Sequence, residues 1–214
     1  MPETASQAIP SLLPLFPLPD AVLFPKMPLP LNVFEPRYRK MVADVRATHK
    51  VIGMTLLKPG WEAEYLGRPA VYPTGCAGYM EQCEPQPDGR FQIVLRGTSR
   101  FRVVEEHAGE PYRLATVEPL EDFSGDGAAL EAARRKVTAA IAQASDGPAI
   151  LVMQPELTHD VFLNALCQSL PLTPVERQSL LDCDAVLDRY ARLVEILDFK
   201  RLEQAQGPVE PKVH

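Results

Sequence analysis

Residues 10–36 read PSLLPLFPLPDAVLFPKMPLPLNVFEP, and this stretch decides the fold class. It holds eight prolines: Pro10, Pro14, Pro17, Pro19, Pro25, Pro28, Pro30 and Pro36. No helix survives that density, because each ring removes a backbone donor and clashes with the previous turn. The residues between the prolines are mostly Leu, Val and Phe, so the stretch belongs against a core. The reading is short strands and extended segments, with prolines at edges and bulges.

Working outward, PRYRKMVADVRAT (36–48) is the first helix. Pro36 suits the first helical position, and Tyr38, Met41, Val42 and Val45 repeat at helical spacing. VIGMTLLK (51–58) is apolar and β-rich. GCAGYMEQCE (75–84) and RFQIVLRG (90–97) flank Pro87-Asp88-Gly89 and read as a hairpin. RFRVVEE (100–106) and PYRLATVEPL (111–120) read as two further strands. Residues 10–123 therefore predict a small, closed or half-closed β-barrel. After Ser124-Gly125-Asp126-Gly127 the period changes to helical. Leu130, Ala133, Val137, Ile141 and Ala144 make one stripe, and Leu157, Val161, Phe162, Ala165 and Leu166 another. Thr173-Pro174-Val175-Glu176 is a capping box with proline at the first helical position. A last helix, capped by Asp184, carries Leu187, Tyr190, Ala191, Val194 and Leu197 on one side. Residues 127–203 thus predict a helical subdomain. Both chain ends, Met1 to Ile9 and GPVEPKVH, are expected to be loose.

The 214 residues contain 22 prolines, about twice the usual share. The net charge of −6 and the absence of a basic run argue against a nucleic-acid partner. No apolar run is long enough for a membrane helix, and the first ten residues do not read as a signal peptide. Cys76, Cys83, Cys167 and Cys183 form no C-x-x-C and read as free thiols, so a cytoplasmic location is expected. No P-loop, dinucleotide fingerprint, zinc-protease helix or nucleophile elbow is present in the sequence. No catalytic residue, metal ligand or cofactor is assigned. A Cys–His nucleophile pair, such as Cys76 with His107, is conceivable in a fold that brings strands together, but no sequence feature supports it.

LPLFPLPDAVLFP (13–25), PLPLNVFEPRYRKMV (28–42), PDGRFQIVLRGTSRFRV (87–103) and PYRLATVEPL (111–120) resemble the N-terminal domain of the ATP-dependent protease Lon. FLNALCQSLPLTPVERQSLLDCD (162–184) resembles that family's helical part. Lys26 stands where the family often has glycine, and Asn32 where it often has histidine. The resemblance implies an α+β fold, a PUA-like β pseudo-barrel followed by a C-terminal helical subdomain. It also implies a stand-alone bacterial form, with the recognition domain and without the ATPase or protease. The implied role is non-enzymatic recognition of unfolded or tagged polypeptides, with a separate protease as a further candidate partner. An RNA-binding PUA-like protein is the alternative. It requires Arg37, Arg90, Arg96, Arg100 and Arg102 to cluster on one face.

A module that recognises unfolded chains needs exposed apolar surface. Leu31, Phe34, Trp61 and Tyr65 are the candidates, flanked by Arg37 and Arg102 for carboxylates or carbonyls of the bound chain. Each has a structural alternative. Leu31 and Phe34 can be core, and Trp61 and Tyr65 can pack over the barrel edge. Arg100 and Arg102 share one strand face. They either form a basic ledge for a partner or hold the barrel together through Glu35, Glu118 or a loop carbonyl. Glu35 sits where a helix start favours negative charge.

Overall fold

The proline-rich stretch supplies two strands, β1 (Leu12–Leu18) and β2 (Pro28–Val33), of a six-stranded mixed sheet. The structure is a computed structural model that describes residues 9–65, 67–107, 111–123, 125–143 and 156–206. The expectations for the first eight residues, Ser124, Ala144 and the tail 207–214 lie outside the described residues. The described residues group into two units, 1–121 with 172–182, and 122–171 with 183–214.

In the first unit, α1 (Pro36–Arg46) follows β2, and Tyr38, Met41, Val42 and Val45 are its buried face. Then come β3 (Val51–Leu56), a short 3-10 turn (Trp61–Glu64), β4 (Thr74–Pro85), β5 (Phe91–His107) and β6 (Arg113–Leu120). Strand order is β2-β5-β4-β3-β1-β6, and β5 also pairs with β6. That extra pairing joins β5, β4, β3, β1 and β6 into a ring, with β2 added outside it. β1 runs parallel to β3; the other pairs are antiparallel.

The prolines fall where a missing donor is tolerated. β1 pairs with β6 through Leu12–Leu15 and with β3 through Leu15–Leu18. Pro14 and Pro17 each therefore face a single ladder partner. Pro28 and Pro30 lie on β2, which pairs with β5 alone.

Two strands expected around residue 97 are one. β5 is 17 residues long and pairs with β2 as far as Arg96, with β4 as far as Arg102 and with β6 from Arg100 onward. Gly97 is the joint: a Cβ there would lie 2.1 Å from the Phe24 carbonyl oxygen. The bare backbone lets Gly97 accept from Lys26 N–H at 2.7 Å and donate to the Met27 carbonyl at 2.9 Å. The sequence reads as a break there because glycine and polar residues interrupt the apolar run.

Phe101 of β5 is fully buried with Leu13, Leu15, Val51, Ala77 and Ala115. Gly53 and Gly75 make room for its ring; a Cβ on Gly75 would lie 2.5 Å from the ring and 2.4 Å from the Met54 carbonyl oxygen. Arg100, next along the strand, is 1% exposed. Its guanidinium donates to the carbonyls of Leu181 (3.0 Å) and Glu121 (3.1 Å). Leu181 ends α4 (Pro174–Leu181), the helix opened by the Thr173–Glu176 capping box. Gln178 of the same helix donates to the Thr74 carbonyl at 3.0 Å. These bonds attach residues 172–182 to the sheet.

The second unit holds α2 (Gly127–Gln143), α3 (His159–Ser169) and α5 (Val186–Gln206). Leu130, Val137, Ile141, Phe162, Leu163 and Leu166 are buried. α5 begins one residue later than an Asp184 cap sets, because Ala185 bridges to Phe123. Its buried face is Val186, Arg189, Tyr190, Leu193, Val194 and Ile196, and Ala191 is exposed. The face is rotated from the expected stripe because Arg189 is buried. Its guanidinium donates to Asn164 (2.9 Å), Asp122 (2.9 Å) and the Cys183 carbonyl (3.0 Å).

Gly75→Ala should lower the free energy of unfolding by about 1–3 kcal/mol, the usual cost of overpacking a filled core. Gly127→Ala, where a Cβ meets nothing within 4 Å, should be neutral or gain up to about 1 kcal/mol. Urea denaturation of the two variants checks the contrast.

Candidate functional site

The loop from β2 into α1 places Leu31, Phe34, Glu35 and Arg37 close together in sequence. Chain reversal is sharp here, because Pro36 starts a helix directly after the strand. Phe34 is 61% exposed, and Leu31 is half-exposed. Both line a cavity of about 230 Å³ whose wall includes Phe16, Leu18, Tyr38 and Tyr65. Trp61 packs edge-on against Tyr65 with ring centroids 5.3 Å apart. Five of the six sequence candidates therefore sit in one patch.

Glu35 ties the patch together. As the residue before α1 it makes no side-chain cap. Its carboxylate instead accepts from Arg37 Nε at 3.0 Å and from the Tyr65 hydroxyl in a short hydrogen bond. Arg37 also donates to the Tyr65 carbonyl at 3.4 Å. Its guanidinium lies 4.6 Å from the Tyr38 ring centroid and 5.1 Å from that of Tyr65. The aromatic rings are thus held in place by a charge pair from the helix start.

A second, wider groove of about 510 Å³ runs over β2, β5 and β4, lined by Pro30, Gln82, Glu84, Gln92 and Val94 among others. Leu31 and Asn32 line both this groove and the smaller cavity. Sequence reasoning did not single out Phe16, Leu18 or the groove. Phe16 and Leu18 lie on β1, and their apolar periodicity signals core as much as cavity wall.

Arg102, the sixth candidate, is exposed on β5 opposite Thr74 and Glu118, and lines neither cavity. The two-arginine ledge does not form, since Arg100 is buried on the carbonyls of Leu181 and Glu121. Of the five arginines that an RNA face requires, Arg37 pairs with Glu35, Arg90 with Asp88 and Arg96 with Glu81, and Arg100 is buried. Cys76 is buried opposite Arg100, whereas His107 lies seven residues farther along β5, roughly 20 Å in an extended strand. The His107 ring is hydrogen-bonded to the Thr116 hydroxyl at 2.8 Å. Among the described residues, no group of three His, Cys, Asp or Glu side chains could hold a metal ion. No helix among them is long and apolar enough to cross a membrane. All four cysteines are free thiols.

Residues 12–198 match the family described as the ATP-dependent protease La (LON) substrate-binding domain. The chain belongs to that family. Among curated Lon proteases, that of Cytophaga hutchinsonii is 24% identical over 99% of this chain and 27% of its own length. Lon protease 2 of Desulfotalea psychrophila is 28% identical over 94% of this chain and 26% of its own length. The chain thus spans about a quarter of the curated relatives it matches. A solved Lon N-terminal domain protein from Xanthomonas campestris is 27% identical, with a TM-score of 0.61 over 86% of this chain and 97% of that one. The N-terminal domain of a Mycobacterium avium complex Lon protease superposes with a TM-score of 0.67 at 14% identity, covering 87% and 98% of the two chains. The α+β fold expected from the sequence is the fold of these Lon domains.

Lys26 and Asn32, singled out in the sequence, both occupy particular places in the structure. Lys26 adopts a left-handed backbone with φ of 67°, the conformation that glycine takes without a steric penalty. Asn32 stands on the wall shared by the two cavities.

Tyr38, at the centre of this region, is 3% exposed, and burial raises its pKa from 10.0 to about 12 against the opposing pull of Arg37. Tyr65 shifts upward too, through burial first and its bond to Glu35 second. A phenol with a raised folded-state pKa keeps its proton where the unfolded chain has lost it. Its contribution is complete below pH 10 and is lost as the pH rises through 10 to 12. Stability should fall by about 2–3 kcal/mol across that window, and Tyr38→Phe should shrink the fall. Urea unfolding at stepped pH measures both.

Proposed function

We propose that the sheet unit is a non-enzymatic recognition module that binds segments of unfolded or tagged polypeptides. The observation that carries this reading is Phe34. It is a large apolar side chain, 61% exposed, beside a cavity whose neighbours Leu31, Tyr65 and Trp61 are half-exposed. Folded proteins rarely leave such rings grouped at the surface unless something binds them. Arg37 supplies a charge at the rim, and Arg102 a second one farther along the sheet. The edge strand β2 is a poor template for strand addition, because Pro28 and Pro30 remove two of its donors. Recognition therefore runs through side chains, which suits a binder with little sequence preference. Membership in the Lon substrate-binding family supports polypeptide as the ligand class. In this reading the module works in the cytoplasm, delivering or presenting clients to other proteins, a separate protease among them.

Phe34→Ala combined with Trp61→Ala should keep the melting temperature and weaken binding of a denatured model protein. Truncating interface anchors costs about 2 kcal/mol or more, roughly thirtyfold in affinity. Unchanged affinity in the folded double variant removes these rings from the site.

The chain purified by itself should neither hydrolyse ATP nor cleave casein. ATP turnover that follows the protein through purification and disappears on a point substitution would contradict the non-enzymatic reading.

A further inference from the structure

Tyr38 also lines a second pocket of about 300 Å³, together with Arg37, Arg68, Arg113 and Tyr112. Three guanidiniums around one hollow are unexpected in a chain of net charge −6. Arg37 is matched by Glu35. Arg113 is matched by Glu106 at 3.4 Å and donates to the Pro69 carbonyl at 2.6 Å. Arg68 donates to the His107 carbonyl at 3.1 Å and has no carboxylate partner among the described residues. Asp44 near Tyr112 is already paired with Lys40. Among the described residues one positive charge is therefore left over.

A second observation points the same way. Tyr38 is 97% buried by its 3% exposure, lines the pocket, and its hydroxyl has no hydrogen-bond partner among the described residues. That hydroxyl feels the charges of both Arg37 and Arg113. Burial, and then the nearby Arg68 and Arg37 charges, push the Arg113 pKa down, with Glu106 opposing. A pocket-lining phenol hydroxyl beside crowded guanidiniums is completed by an oxyanion, which accepts from all of them.

We infer that this pocket binds a carboxylate of the polypeptide whose apolar side chain occupies the neighbouring cavity. The inference rests on the polypeptide-binding reading above. Tyr38 lines both hollows, so a single ligand can present an apolar group to one and an anion to the other. A single unmatched positive charge suits a monoanionic carboxylate rather than a doubly charged phosphate. The carboxylate can come from an acidic side chain or from the chain terminus.

The test uses the full chain and short labelled peptides of Phe, Leu, Ser and Gly. One form has a free C-terminus, one is amidated, and one is amidated with a single Glu beside the Phe. Wild-type protein should bind at least one carboxylate-bearing form about tenfold more tightly than the neutral amide, the usual scale for a charge-assisted hydrogen bond. Which form gains tells terminus from side chain. Arg68 is exposed, so Arg68→Gln should keep its melting temperature and lose the gain while still binding the neutral peptide. Equal binding of all three peptides overturns the carboxylate pocket and leaves the polypeptide reading standing. No binding of any peptide overturns both. Tighter binding of a phosphoserine peptide than of the Glu peptide overturns the carboxylate assignment.

Discussion

Arg100 carries a full charge in the interior, and much of the first unit is arranged around that constraint. A guanidinium taken from water costs several kcal/mol unless its donors are satisfied. Here the acceptors are the carbonyls of Glu121, just past β6, and Leu181, at the end of α4. Meeting that requirement brings residues 172–182 back to the sheet after the chain has passed through α2 and α3. One residue along, Phe101 faces the opposite way and fills the ring of strands. A single dipeptide of β5 thus fixes the barrel interior on one side and the returning helix on the other.

Closure of the ring also depends on β5. Because this strand pairs with both β4 and β6, it closes the ring, and β2, where Pro28 and Pro30 lie, is an edge outside it. The same prolines that exclude helix from residues 10–36 guard that edge against pairing with another chain. Apolar rings can therefore stand at the end of β2 without the backbone beside them inviting a foreign strand.

Local patterns carried the legible part of the fold. The 3.6-residue spacing of Tyr38, Met41, Val42 and Val45 gave α1, and Thr173–Glu176 gave the start of α4. Long-range demands hid the rest. The Leu180 and Leu181 stripe looks the same whether its helix packs on a sheet or on other helices. The bond from Arg100 to Leu181 spans 81 residues and has no local signature. Burial of Arg189 rotated α5, and its partners, buried Asn164 and half-buried Asp122, lie 25 and 67 residues away. In the candidate site the aromatic and basic residues near Pro36 were visible as a cluster in sequence. Arg68 and Arg113 were not, since they meet only when β6 and the loop before β4 are folded.

The role of Glu35 shows how structure and surface chemistry are coupled here. The residue before a helix start need not cap the backbone, and the Glu35 carboxylate does not. That freedom lets the side chain turn away from the backbone and hold Arg37 and the Tyr65 hydroxyl instead. Tyr65 is a half-exposed ring that lines the cavity. Fixed by Glu35 and braced by Trp61, it keeps the hollow beside Phe34 open. Pre-positioned rings lose less conformational freedom when a ligand arrives, so a weakly selective apolar contact can still have useful affinity. The same charge pair holds Arg37 between the apolar cavity and the basic pocket, so one helix start organises both surfaces.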